Sequence, residues 1–168
     1  EFEALLGVED VSNLFPQQRR FFFTQRAPGD NHAKICVREG DDRATPRVVI
    51  NPNEFSPDGT VALDWWYPSH DGALIAYGKS AGGTEKSTLY LRDVQTGKDL
   101  PDVIPFTQYC SVGWNHDGTG FFYSRCPDPN TVPAGEENFY IRVYFHQLGA
   151  DWQQDRYVWG ENRPKDEE

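Results

Sequence analysis

The chain contains no methionine and only three cysteines, and among its 168 residues 16 lysines and arginines face 26 aspartates and glutamates. Each shortage excludes something. A formal charge of −10 repels phosphate backbones and anionic lipid, and no cluster of Lys or Arg offsets it, so neither nucleic acid nor a membrane is an expected partner. No apolar run approaches the ~20 residues that a membrane-spanning helix needs. The N-terminus, Glu1-Phe2-Glu3-Ala4-Leu5-Leu6, carries neither the basic segment nor the long apolar stretch of a secretory signal. Lacking an initiator Met, the chain is expected to start after a cut or inside a longer gene. Cys36, Cys110 and Cys126 are odd in number and spaced unlike any zinc motif, which predicts reduced core or strand residues. No Asn-x-Ser/Thr sequon occurs, the cytoplasm is the expected compartment, and no cofactor is expected.

What is present is aromatic: Trp, Tyr and Phe make up 14% of the residues, too many rings for a disordered chain. They recur in a repeat. His70-Asp71-Gly72-Ala73-Leu74-Ile75-Ala76-Tyr77 matches His116-Asp117-Gly118-Thr119-Gly120-Phe121-Phe122-Tyr123 without a gap, each copy following a Trp (Trp65 and Trp66; Trp114). Asp-Gly supplies the positive φ angles that a two-residue hairpin turn demands, and an apolar run follows on the strand. A second strand and turn come next in each copy, Thr88–Val94 then Gln95-Thr96-Gly97, and Ile141–Leu148 then Gly149. A weaker copy runs Arg20–Thr24, a turn at Ala27–Asp30, then Lys34–Arg38. Four short strands in ~45–50 residues are the period of a β-propeller blade. The expected fold is therefore all-β, a partial β-propeller of about two and a half to three four-stranded antiparallel blades. Closed propellers hold roughly 4–8 blades, so the chain is expected to be part of a larger ring. Residues 1–14 read as a lead-in, with a short helix allowed from Glu3 to Asn13, and 15–168 as the first blades. Residues 126–138 read as a long exposed insertion between two strands.

Several of these segments also carry a family likeness. Asn51-Pro52-Asn53 with Ser56-Pro57-Asp58-Gly59-Thr60-Val61-Ala62-Leu63 resembles the Asp-Pro-Asn…Ser-x-Asp-Gly-Thr-Val-Ala-Leu segment of the prolyl oligopeptidase family. Ser69-His70-Asp71-Gly72 with Ile75-Ala76-Tyr77-Gly78, then Gly97-Lys98-Asp99-Leu100-Pro101-Asp102, then Trp114 to Tyr123, resemble its following strands in order. Asn51 departs from the usual Asp, and Lys86 stands where an aromatic is usual. The resemblance implies a seven-bladed propeller that caps an α/β-hydrolase domain holding a Ser/Asp/His triad, limits access to short peptides and serves cleavage after proline. This chain would then be non-catalytic by itself, its implied partners being short peptide substrates and the hydrolase domain of the same chain. The resemblance also implies two site residues. Tyr109 matches an aromatic that reaches into the substrate cavity, where burying a ring contributes roughly 1.5–3 kcal/mol. Glu85 matches an acidic residue on the loop facing the hydrolase domain. Cys110 and Ser111 would line the same rim. The alternative is a non-catalytic propeller module that binds a protein partner on its ring face.

Other motifs invite readings that their context opposes. Gly78-Lys79-Ser80-Ala81-Gly82 satisfies the Gly-x-Ser-x-Gly pattern of a nucleophile elbow, but that motif needs a strand-to-helix turn, and Gly83-Thr84-Glu85 and another strand follow. Ser80 is expected in an inter-strand loop. His32, His70, His116 and His146 lack the short spacing of metal ligands, and His70 and His116, at equivalent repeat positions, are expected to cap separate turns. Asp41-Asp42, Glu136-Glu137 and Glu167-Glu168 are adjacent carboxylates with nothing apolar beside them to raise a pKa, and are expected to be solvated.

Overall fold

The computed structural model describes residues 10–40 and 43–160. Their strands are β1 (Asp10–Gln17), β2 (Arg20–Arg26), β3 (Lys34–Glu39), β4 (Arg47–Ile50), β5 (Val61–Pro68), β6 (Leu74–Ala81), β7 (Thr88–Asp93), β8 (Asp99–Ile104), β9 (Val112–Trp114), β10 (Gly120–Arg125), β11 (Arg142–Gln147) and β12 (Arg156–Trp159). They form three four-stranded sheets in chain order, β1 to β4, β5 to β8 and β9 to β12. Every pairing is antiparallel. The all-β expectation holds, and the blade count comes out at three. Part of the helix allowed from Glu3 to Asn13 lies outside the described residues. Residues 10–13 are strand, so this end of the expected lead-in already belongs to the first sheet.

Each blade buries the side chains that alternate onto its inner faces. Between the first and second sheets lie Phe22, Ile35, Val37, Val49, Ile50, Ile75, Tyr77 and Val94. Between the second and third lie Ala76, Leu89, Leu91, Ile104, Cys110, Trp114, Phe121 and Tyr123. Fully burying one such Leu, Ile or Phe contributes roughly 1.5–3 kcal/mol, which is why aromatic and β-branched residues dominate the middle strands.

The antiparallel order gives the assembly two faces. Connections β1–β2, β3–β4, β5–β6, β7–β8, β9–β10 and β11–β12 lie on one, the hairpin face. Connections β2–β3, β4–β5, β6–β7, β8–β9 and β10–β11 lie on the other, the linker face.

The repeated Asp-Gly turns on the hairpin face are wider than the two-residue hairpins expected. Ser69 Oγ and Asn115 Oδ1, at equivalent positions, each accept the N–H five residues on, at 3.0 Å from Leu74 and 3.0 Å from Gly120. Within each loop the aspartate accepts the N–H two residues on, at 2.9 Å for both Asp71–Ala73 and Asp117–Thr119. Gly72 and Gly118 supply φ of +67° and +71°. The loops are thus closed by side chains at both ends.

Candidate functional site

The linker between β8 and β9, residues 105–111, is pinned along most of its length. Thr107 is fully buried, and both its N–H and its hydroxyl donate to the carbonyl of Ser87, each at 3.0 Å. Its own carbonyl accepts the Trp65 indole N–H at 3.1 Å. Gln108 is buried and its Nε2 donates to Asn138 Oδ1 at 3.3 Å, tying the linker to the insertion between β10 and β11. The Cys126 N–H donates to the Phe106 carbonyl at 2.9 Å, and Ser124 Oγ donates to the Tyr109 carbonyl at 3.4 Å. What this clamp presents is the Tyr109 ring, 61% exposed on the linker face. Tyr109 is therefore not blade core.

Glu85 shares that face. It sits exposed in the β6–β7 connection, and its carbonyl accepts the Ser87 N–H at 2.9 Å. Ser87 in turn holds Thr107, so hydrogen bonds tie the Glu85 connection to the linker that carries Tyr109 two residues further on. Glu85, Phe106, Tyr109 and Tyr140 all have positive φ, at 57°, 63°, 58° and 59°. L-residues in this region cost of order 1–3 kcal/mol each and persist where surrounding bonds over-determine them. Four on one face single it out as the candidate site. Cys110, the next residue, is buried between the second and third sheets, and burial pushes its thiol up to about 12. Burial likewise raises the Cys126 thiol to about 11, so neither is a thiolate near neutral pH. The Ser111 N–H is bonded to Ser124 Oγ at 2.9 Å.

Ser80 lies within β6, not in a loop. The strand runs on to Ala81 because Gly78 leaves room for the Trp65 ring: a Cβ there would meet that ring at 2.3 Å. The Ser80 hydroxyl, nearly buried, donates to Asp64 Oδ1 at 3.0 Å, and Ser87 Oγ donates to the other oxygen of the same carboxylate. An extended residue hydrogen-bonded to an aspartate is not the sharp turn a nucleophile elbow needs.

The histidines are scattered. His32 is paired through its backbone with Asn53, at 2.9 Å in both directions. His70 and His116 are closer than their separate turns suggested, with ring centroids 6.4 Å apart, and His70 Nε2 lies 3.0 Å from the Trp114 carbonyl. His146 is fully buried between two carboxylates. Among the described residues no three His, Cys, Asp or Glu converge as metal ligands. Glu136 accepts the Tyr140 hydroxyl at 2.7 Å, while a backbone bond from Gly135 holds the Glu137 pKa below its usual value. Asp41-Asp42 and Glu167-Glu168 lie outside the described residues.

Residues 1–166 match the family model described as prolyl oligopeptidase, N-terminal beta-propeller domain. The chain belongs to this family. It is 35% identical over 136 residues to prolyl oligopeptidase A of Galerina marginata, covering 71% of this chain and 18% of that protein. To the prolyl endopeptidase of Elizabethkingia meningoseptica it is 31% identical over 154 residues, covering 90% of this chain and 21% of that one. A solved prolyl endopeptidase superimposes with a TM-score of 0.86 at 28% identity, over 93% of this chain and 23% of its own. Prolyl oligopeptidase B of Galerina marginata, solved with a 35mer hydrolysis and macrocyclization substrate, superimposes at 0.81 with 20% identity, over 96% and 25%, a likeness of fold. The chain spans about a fifth of the length of these curated relatives. Among the described residues no helix is long and apolar enough to cross a membrane.

Sequence reasoning picked out Tyr109 and Glu85 but missed what holds them: Thr107, Gln108 and Ser87. It also missed Asp64 and the carboxylates around His146. For His146 a signal existed, because its position repeats that of Arg92.

Proposed function

We propose that the chain is the propeller portion of a serine-type oligopeptidase that cleaves after proline, narrowing the access of peptides and lining the substrate cavity. Supporting it is one observation above all: the Tyr109 ring is offered on the linker face by a strained, hydrogen-bonded turn, in a chain of the prolyl oligopeptidase family. An exposed aromatic on a rigid turn stacks against a peptide with little ordering entropy to lose. Glu85, on the same face, meets the hydrolase domain through its carboxylate. The chemistry itself belongs to that hydrolase domain, and this chain acts by geometry, without a cofactor. The compartment proposed is the cytoplasm, consistent with three buried cysteine thiols.

The test compares the 168-residue chain with the longer protein that contains it. The longer protein is expected to cleave a chromogenic Gly-Pro peptide and to react with a fluorophosphonate probe, and the 168-residue chain to do neither. Labelling of Ser80 in the short chain, or a longer protein inert to both reagents, sinks the reading.

A further inference from the structure

The second and third blades carry corresponding three-residue polar sets at equivalent positions, differing in one member. In the second, the Tyr77 hydroxyl donates to Asp99 Oδ2 at 3.0 Å, and Arg92 donates to the two Asp99 oxygens at 2.7 and 3.1 Å. In the third, the Tyr123 hydroxyl donates to Asp155 Oδ2 at 2.6 Å, and His146 Nδ1 lies 2.7 Å from Asp155 Oδ1. Arg92 stands opposite Ile75 in its ladder and His146 opposite Phe121, the matching residue of the repeat. Each cation also reaches back to the outer strand of the preceding blade. Arg92 Nη1 donates to the Val49 carbonyl in β4 at 3.0 Å, whereas His146 Nε2 meets Asp102 Oδ1 in β8 at 3.0 Å.

That last difference changes the chemistry. A carboxylate only accepts hydrogen bonds, and a neutral imidazole has a single N–H, so contacts to carboxylates at both ring nitrogens need the doubly protonated ring. The carboxylates are kept as acceptors by other donors, Gly149 N–H to Asp102 Oδ1 at 2.6 Å and Tyr123 O–H to Asp155. Asp102 Oδ2 is buried without a hydrogen-bond partner, so this carboxylate relies on the contacts of its other oxygen. We propose that His146 is a proton-dependent clasp between the second and third blades, its imidazolium bridging Asp102 and Asp155 across the seam that carries the Tyr109 turn, where Arg92 makes the corresponding but permanent clasp between the first and second. The groups facing His146 are Asp102 from β8, Asp155 from the segment before β12, and Tyr123 from β10, whose hydroxyl also accepts from Arg125 Nη1 at 3.2 Å. The Phe121 ring packs beside it at 5.2 Å, and Cys110 lies within electrostatic reach of Tyr123.

The direction in pH follows. Burial opposes the charge on His146, but the hydrogen bonds and charges of Asp102 and Asp155 outweigh it and lift the pKa to about 9, from an unfolded value near 6.5. A group whose folded pKa is raised stabilises fully below its unfolded pKa, and that contribution is lost as pH rises through the folded one. The clasp is therefore closed at neutral pH and releases in mild alkali.

Nitrogen-15 NMR of the imidazole in the 168-residue chain tests this directly. Both His146 ring nitrogens are expected to be protonated at pH 7 and to titrate near pH 9, and the Gly149 amide, which bonds Asp102, is expected to shift with the same midpoint. A ring in a single neutral tautomer at pH 7 overturns the proposal. A second arm follows urea midpoints from pH 7 to 10 for the natural chain and His146→Gln. The gap between the two is expected to narrow as pH rises through 9; parallel curves overturn the clasp. The imidazole titration needs no variant, so it decides the matter even where the substitution prevents folding.

Discussion

Tyr109 occupies left-handed backbone that costs an L-residue roughly 1–2 kcal/mol, and the bonds of Thr107, Gln108 and Ser124 keep it there. Replacing it with Ala in the full-length protein is expected to lower kcat/KM for long peptides by about tenfold, the ~1–2 kcal/mol an aromatic contact supplies. A minimal proline substrate that does not reach the propeller should be spared, because the lost contact is remote from the reacting bond. Measuring both substrates and the melting temperature decides it: equal losses on both, with a lower Tm, remove Tyr109 from the substrate surface. Its position was legible in the sequence only through family likeness. The pins were not, because Thr107 meets Ser87 and Trp65 at separations of 20 and 42 residues, which no local pattern encodes.

The middle strands approach one another where glycine leaves room. A Cβ on Gly120 would sit 2.1 Å from the His146 carbonyl, a backbone atom that has nowhere to go, whereas at Gly113 nothing lies within 4 Å. Gly120→Ala is expected to destabilise the chain by roughly 1–3 kcal/mol or more, and Gly113→Ala to be near neutral; urea midpoints compare them. Matched losses would mean that the β10–β11 approach is looser than a Cβ-to-carbonyl distance of 2.1 Å implies. In the hairpin loops, hydrogen bonds to the aspartates oppose the upward pull of burial on Asp71 and leave its pKa below the ordinary value, and the Thr119 amide and hydroxyl lower that of Asp117. Depressed carboxylate pKa values stabilise above the unfolded pKa of 3.8, and that contribution is lost as pH falls through the folded values. The Ala73 and Thr119 amide shifts should therefore change as pH falls below 3.8, and shifts that change above it would contradict the turn assignment. These loops show what a sequence yields and withholds. The Asp-Gly repeat announced each turn and its spacing, but the width of the loop depended on Ser69 and Asn115. Two residues of different type perform the same bond, so identity matching passed over them. Likewise Gly78 read as the start of a loop because its partner, the Trp65 ring, comes from the neighbouring strand.

At the scale of the molecule, among the described residues the two outermost sheets each have a face with no neighbouring blade. Phe122 and Phe145 pair across the ladder on that face of the third sheet with rings 5.1 Å apart, and Phe122 and Trp159 are 38% and 49% exposed; on the first sheet Val48 is 50% exposed, while Phe23 and Cys36 on the same face are buried. Apolar sheet faces of this kind drive association. The 168-residue chain is expected to self-associate, with sedimentation coefficients that rise with concentration. A concentration-independent monomer melting cooperatively above ~65 °C, beyond the usual mesophile range, would argue against it. Chain order within the sheets has another consequence. Among the described residues every strand pairs only with strands adjacent in sequence, so none of these three blades waits for a distant segment to complete its ladder. A ribosome adding about 5–20 residues per second releases one blade's worth of chain every few seconds, far slower than the microseconds a hairpin takes to form. Each blade can thus assemble on the one before it during synthesis, so the ring would grow in the direction of translation.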